Sequence, residues 1–326
     1  MKKTIILSFL ICLNTILYGQ IINGKVIDKQ SNAPVEAATV YLNGTFVGTS
    51  TDSSGHFSLD VSKYPNMPLS ISVIGYYSFI LEDFPKDKPL LILLDPKVIE
   101  LNAIIIKAKS LKSTRKSNML LFKREFLGTG PNSQKCKILN ENDIYFVYSQ
   151  EDDTLKAYSH KPLVIENKSL GYKLTYFLDE FKFSRYSRNL YFIGNVVFNE
   201  DNNLKKSTKR SFDKQRKYTY LGSRMHFMRA LWNNDLKSAG FKIKDTKNNF
   251  LSFENIVQKD KNDNKFLTFK SDIKVEYKKS SSGIKFLKKY VYFDKEGYFY
   301  PLDLQWRGTI ANQRISDFLP YEYTIK

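Results

Sequence analysis

The chain has 326 residues, 42% of them hydrophobic and 26% charged, an ordinary soluble composition long enough for two or three domains. Its two cysteines, Cys12 and Cys136, are too few for a disulfide-stapled scaffold. Its formal net charge of +18 favours polyanionic partners.

The first stretch, MKKTIILSFLICLNTILYGQ, is basic at Lys2 and Lys3, apolar from Ile5 to Leu17, and small at Gly19 before Gln20. It reads as a secretory signal peptide over residues 1–19, cut near Gly19–Gln20. The apolar run is shorter than the roughly 20 residues of a bilayer span. Bulky Ile11 before Cys12 argues against lipid attachment. No later run is apolar enough to span, so no transmembrane span is expected after cleavage. The expected location is the periplasm or the outer membrane. Cys136 is then the lone cysteine, expected to be buried, with an intermolecular bridge or a reactive thiol as the alternative.

The charge is uneven. Residues 20–108 carry 7 basic and 9 acidic side chains, whereas 109–326 carry 42 and 24. Nearly all the basicity therefore belongs to the second part.

Residues 20–108 alternate short β-prone runs (IINGKVID, ATVYLNG, HFSLDV, LSISVIGY, PLLILLD) with turn signals. Asn43-Gly44 predicts a hairpin, and Asp52-Ser53-Ser54-Gly55 another. Strands at this spacing predict a small sandwich. A basic joint, KSLKSTRKSN (109–118), follows. MLLFKREFLG (119–128) predicts a helix ending at Gly128, with Leu120, Leu121 and Phe122 apolar and Lys123, Arg124 and Glu125 outward. A further helical turn is expected in SQKCKIL. Strands are predicted at DIYFVYS, TLKAYSH, PLVIEN, YKLTYFLDEFKF and LYFIGNVVF. The chain closes on a three-strand meander turning at SSSG and DKEG. Residues 119–326 thus read as one basic α+β domain with mostly antiparallel sheet and a few helices.

RKYTYLGSRMHFMRALWNND (216–235) concentrates candidate site residues. Ser223 is a natural N-cap. Met225, Met228, Leu231, Trp232 and Leu236 form an apolar helical face, and Gly240 is expected to end the helix. His226, Arg229 and Asn233 share the other side. The sequence favours a helix braced on a sheet. The candidate ligand site is an anion held by Arg224, His226 and Arg229. Catalysis by His226 finds no adjacent nucleophile.

The motif GKVIDKQSNAPVEAATVYLNGTFVGTSTDSSGHFSL followed by LSISVIGY, through Gly24, Pro34, Ala38, Val40, Gly48, Thr51, Asp52, Gly55, Phe57, Gly75 and Tyr76, resembles the carboxypeptidase-regulatory-like domain of exported Bacteroidota proteins. The resemblance implies a seven-stranded, transthyretin-like antiparallel β-sandwich. It implies no peptidase, because this domain accompanies the catalytic part of metallocarboxypeptidases and is not that part. The histidines His56, His160 and His226 lack zinc-ligand spacing, and no metal or other cofactor is expected. The same domain often precedes outer-membrane receptor barrels, but the 218 residues after Ala108 fall far short of a 22-stranded barrel. Segments such as TYLGSRMHFMRALWNNDLKSAGFKI and ISDFLPYEY resemble a recurrent C-terminal region of such proteins, which transfers no catalytic residue.

The leading expectation is a non-enzymatic cell-envelope binding or scaffolding protein, partnered by an envelope protein complex or an acidic glycan. One alternative is an envelope hydrolase acting on glycans, resting on the pairs Asp152-Asp153 and Asp179-Glu180. Another is polyanion or nucleic-acid binding by KKSTKRSFDKQRKY (205–218), read as a solvated loop. Export argues against nucleic acid.

Overall fold

The computed structural model of the protein describes residues 20–64, 67–97, 114–149, 151–200 and 205–325. The expected signal segment and the first half of the basic joint lie outside the described residues.

Seven short strands come first: β1 (Ile21–Asp28), β2 (Thr39–Leu42), β3 (Gly48–Ser50), β4 (His56–Asp60), β5 (Leu69–Ser72), β6 (Phe79–Leu81) and β7 (Leu90–Leu94). They form two sheets, ordered β4-β1-β7 and β3-β2-β5-β6. Period-two alternation turns Ile22 and Val26 of β1, and Leu90, Ile92 and Leu94 of β7, into the core between the sheets. Ala38 and Val40 are fully buried there. The Asp52 carboxylate accepts the N–H groups of Ser54 and His56. Gly55 takes φ +78, where a Cβ would lie 2.4 Å from the Val26 carbonyl. Phe57 then re-enters the core. One pair departs from the expected antiparallel pattern: β7 runs parallel to β1. It arrives after a long connection, which permits the parallel sense that a tight hairpin forbids.

The second sheet system holds β8 (Cys136–Ile138), β9 (Ile144–Ser149), β10 (Thr154–Ser159), β11 (Leu163–Asn167), β12 (Tyr172–Ser184) and β13 (Leu190–Glu200). The long β12 is its spine. β13 follows one edge, while β11 and then β10 share the other, all antiparallel. Helix α1 (Arg115–Leu127) packs on it. This helix begins inside the segment expected to be a joint, because Thr114 and Ser117 form a capping box. Met119, Phe122 and Phe126, at i, i+3 and i+7, face the sheet. Phe122 meets Phe181 at 4.8 Å and Phe126 meets Tyr176 at 5.1 Å. Leu120 falls off this face and is 62% exposed. Burying each of the two phenylalanines contributes roughly 2–3 kcal/mol. The expected helical turn in SQKCKIL is a single 3-10 turn, Ser133–Lys135, that leads directly into β8.

Helices α2 (Lys206–Tyr220) and α3 (Arg224–Trp232) come next, then α4 (Phe253–Ile256) and the remaining strands. Residues 205–218, expected as a loop, are therefore mostly helix. The strands are β14 (Phe241–Lys244), β15 (Phe250–Leu251), β16 (Val257–Lys259), β17 (Lys265–Leu267), β18 (Ile273–Tyr277), β19 (Ser280–Phe286), β20 (Val291–Tyr292) and β21 (Leu304–Gly308). They form a five-stranded sheet, β15-β14-β18-β19-β21, and a three-stranded one, β16-β17-β20. Phe227, Met228 and Leu231 of α3 share a core with Phe241, Val275 and Ile284. The meander exists as β18-β19-β21, but its first turn is Lys278-Lys279, with Lys278 at φ 53. SSSG lies in β19 instead. DKEG does turn, with the Asp294 carboxylate accepting the Tyr298 N–H. Among the described residues no helix is long and apolar enough to cross a membrane.

The sandwich is joined to the rest through its β2–β3 turn. Gly44 N–H donates to the Val196 carbonyl at 2.8 Å, and Phe198 N–H donates to the Thr45 carbonyl at 3.0 Å. The Asn43 side chain accepts Val196 N–H. From the C-terminal tail, Tyr321 N–H donates to the Gly44 carbonyl, and the Glu322 carboxylate accepts Phe46 N–H. Gly44 sits at φ +78, and a Cβ there would lie 2.7 Å from the Tyr321 ring. Gly44→Ala is therefore expected to cost about 2–3 kcal/mol in urea unfolding. A loss below about 0.5 kcal/mol would show the junction to be slack.

Candidate functional site

The residues expected to hold an anion lie on α3 and its N-terminal approach. Ser223 caps the helix as expected, accepting His226 N–H at 3.0 Å. The helix ends at Trp232, eight residues before Gly240. Asn234 takes φ 55 after the Asn233 cap, and the N–H groups of Asn234 and Asp235 close back on the Leu231 and Ala230 carbonyls. An asparagine thus does the work expected of the glycine.

His226 is 8% exposed and lies among the rings of Tyr220, Phe241 and Tyr277. Its Nδ1 accepts Gly222 N–H at 3.0 Å. Burial lowers its pKa to about 4, so it is a neutral acceptor that closes the turn between α2 and α3. Arg229 donates to three main-chain carbonyls: Glu296, Tyr321 and Tyr323. Arg224 donates to the carbonyls of Ile310 and Gln313. The two guanidinium groups fasten the C-terminal tail to α3.

The carboxylate pairs separate. Asp153 lies in a turn at φ 49 and accepts the Tyr148 hydroxyl, while Asp152 is exposed. Asp179 is the extra residue of a β-bulge in β12. Its carboxylate accepts Ser78 Oγ from the sandwich at 2.8 Å and Asn195 Nδ2 at 3.3 Å, and burial raises its pKa. Glu180 pairs with Lys182. Cys136 is buried, and burial pushes its thiol up to about 12. Among the described residues, no group of three or more His, Cys, Asp or Glu is arranged to hold a metal ion.

A groove of about 420 Å³ opens where four parts of the chain meet. Phe46 of the β2–β3 connection, Tyr172 of β12, Glu200 at the end of β13, the Asp213–Lys217 stretch of α2, and the tail at Pro320–Thr324 line it. Arg216 is its fixed centre, only 7% exposed. Its Nε donates to the Leu170 carbonyl at 2.8 Å, one terminal nitrogen meets Glu200 at 2.6 Å, and the other lies 3.8 Å from Asp213. The guanidinium stacks on the Tyr172 ring at 4.0 Å. A buried cation persists only with such compensation. Glu322 receives Phe46 N–H on Oε1, while its Oε2 is buried without a hydrogen-bond partner. Burial raises its pKa.

Sequence reading places Asp213, Lys214, Arg216 and Lys217 within the basic run 205–218 but does not bring Phe46, Tyr172, Glu200 or the tail to them. One signal was available: Phe212, Arg216 and Tyr220 recur at i, i+4 and i+8, the spacing of one helix face. Within a lysine-rich run, that arginine looked like one more solvated charge.

The neutral state of His226 carries a pH dependence. Its folded pKa of about 4 lies below the ordinary 6.5, so the penalty is absent above pH 6.5. It grows as pH falls from 6.5 to about 4, because the unfolded chain binds the proton first. Across that window the wild type is expected to lose about 2 kcal/mol more stability than His226→Gln. Parallel urea titrations would contradict this reading of His226.

A family model for the CarboxypepD_reg-like domain matches residues 22–106. No curated protein matches the chain. Among solved structures, a candidate carbohydrate binding protein from Bacteroides uniformis ATCC 8492 aligns over 54% of this chain and 78% of its own, at 10% identity and a TM-score of 0.20. That level of similarity bears on neither the fold nor the activity of this protein. The β-sandwich that opens the chain, built around Thr51, Asp52, Gly55 and Phe57, is a carboxypeptidase-regulatory-like domain.

Proposed function

We propose that this chain is an exported, non-catalytic binding protein of the cell envelope, and that its groove takes a saccharide. The observation that carries the reading is the groove's composition. Phe46 and Tyr323 supply ring surface, backed by the buried Tyr172, and Glu200, Asp213 and Glu322 supply acceptors. A sugar presents an apolar face and a rim of hydroxyls, which need those two surfaces together.

Charge balance favours this ligand over a small free anion. Three carboxylates in the groove face three cations, Lys214, Arg216 and Lys217. Arg216 is already committed to Glu200 and the Leu170 carbonyl. The same commitment supports a binding role over hydrolysis. Glu200 is tied to a cation, Asp213 lies beside the same guanidinium, and Glu322 is tied to the backbone of Phe46. Export is supported by the basic and then apolar opening of the chain and by its kinship with domains of exported proteins.

Calorimetric titration with a panel of neutral and acidic oligosaccharides tests the proposal. At least one is expected to bind and to be recovered uncleaved. Glu322→Gln and Tyr323→Ala are each expected to weaken it about tenfold, the effect of losing one charged hydrogen bond or one ring face. Absence of binding across the panel, binding indifferent to both substitutions, or cleavage of the sugar would overturn it.

A further inference from the structure

The outer side of α2 indicates which saccharide. Lys206, Arg210, Lys214 and Lys217 stand at i, i+4, i+8 and i+11, within about 80° of one another around the helix and spread over about 16 Å of its length. All four are exposed. None makes an ion pair among the described residues. Two of them, Lys214 and Lys217, also line the groove. The stripe therefore begins in the groove and continues past it through Arg210 to Lys206.

A merely solvated helix face would scatter its charges. Here four of the cations share one stripe, bordered by the acid Asp213. Phe212, Arg216 and Tyr220 take the inward side, with Arg216 and Tyr220 buried. Ser207, Ser211 and Tyr218 take the far side without charge, while Gln215 turns in to donate to Asn132. Lys209 lies outside the stripe. Four like charges along one line repel one another by a few tenths of a kcal/mol per neighbouring pair, a cost that an anionic chain lying over them would remove.

We infer that the groove's ligand is an acidic polysaccharide, with one sugar seated in the groove and the carboxylates of the following residues lying along Lys214, Arg210 and Lys206. This rests on the saccharide reading of the groove. It favours a glycan over a nucleic acid because Glu200 and Glu322 stand at the mouth of the stripe. Carboxylates accept sugar hydroxyls but repel a continuous phosphodiester backbone.

The test uses the full mature chain and three probes: an oligogalacturonate, a neutral oligosaccharide of equal length, and a single-stranded oligonucleotide. The oligogalacturonate is expected to bind tightest, and to weaken about tenfold or more between 50 and 200 mM salt as its counterions are recovered. The double variant Lys206→Glu/Arg210→Glu, on exposed positions outside the groove, is expected to weaken the oligogalacturonate at least tenfold and leave any neutral binding unchanged. Lys206→Gln/Arg210→Gln is expected to fall between, which separates loss of attraction from added repulsion. Equal binding of neutral and acidic sugars, with no effect of either variant, would overturn this inference and leave the groove reading standing. Failure of both sugars would overturn the two together. Tighter binding of the oligonucleotide, lost in the same variants, would overturn the assignment to a glycan.

Discussion

The turn Asn43-Gly44-Thr45 is hydrogen-bonded to two other parts of the chain at once. Its backbone extends the free edge of β13 through Gly44 and Thr45, and its Gly44 carbonyl receives Tyr321 from the tail. Each bond is ordinary, contributing roughly 1 kcal/mol net. Together they fix the orientation of the sandwich, the edge of the second sheet and the path of the tail at Tyr321. The groove is what remains between these three parts and α2. Its walls have no common sheet or helix, so its shape depends on this junction.

Side chains reinforce the same contact at a cost. Tyr41 of the sandwich stacks on Phe177 of β12 at 5.4 Å, and its hydroxyl begins a polar chain. Tyr41, Ser72, Ser78 and Asp179 follow one another at 2.8–3.0 Å, and Asn195 closes the chain. Placing Asp179 there requires a bulge in β12, the device that turns a strand side chain off its alternating course. Burial opposes its ionisation, as the raised pKa records. The group therefore contributes less to stability at neutral pH than a neutral partner of the same shape. What it adds is directionality: an apolar interface tolerates sliding, and a satisfied polar chain does not.

The sandwich was legible in the sequence because its determinants are local. Asn-Gly and Asp-Ser-Ser-Gly fix turns within four residues, and alternation fixes the facing of each strand. The long strands β12 and β13 were legible for the same reason. The misreadings occurred where a long-range term overrode a local one. SSSG has better turn chemistry than Lys278-Lys279, but only the observed register sets Ile273 against Ile284 in the core, and burial of one whole face outweighs one unfavourable φ. Gly240 lost the end of α3 to Asn234 because Phe241 had to reach the rings around His226. The groove was the least legible feature. Its residues are scattered from Phe46 to Thr324, and no short window of sequence contains more than two of its walls.

The arginines that brace the tail and the groove stand apart from the chain's exposed cations. Arg216, Arg224, Arg229 and Arg314 are turned inward, donating to main-chain carbonyls and, for Arg216, to a carboxylate. The guanidinium suits this work because its planar fork can satisfy two or three fixed acceptors at once and is weakly hydrated to begin with. An ammonium group is compact and strongly hydrated, so the lysines of α2 keep to the surface. The formal charge of +18 therefore mixes two populations, one that holds the tail and groove in place and one that faces solvent. Only the second can attract a partner from solution. On α2 the two populations share a single helix, with Arg216 on the inner face and Lys206, Arg210, Lys214 and Lys217 on the exposed one. The helix that holds the floor of the groove rigid is thus also the one that sets the electrostatic approach to it.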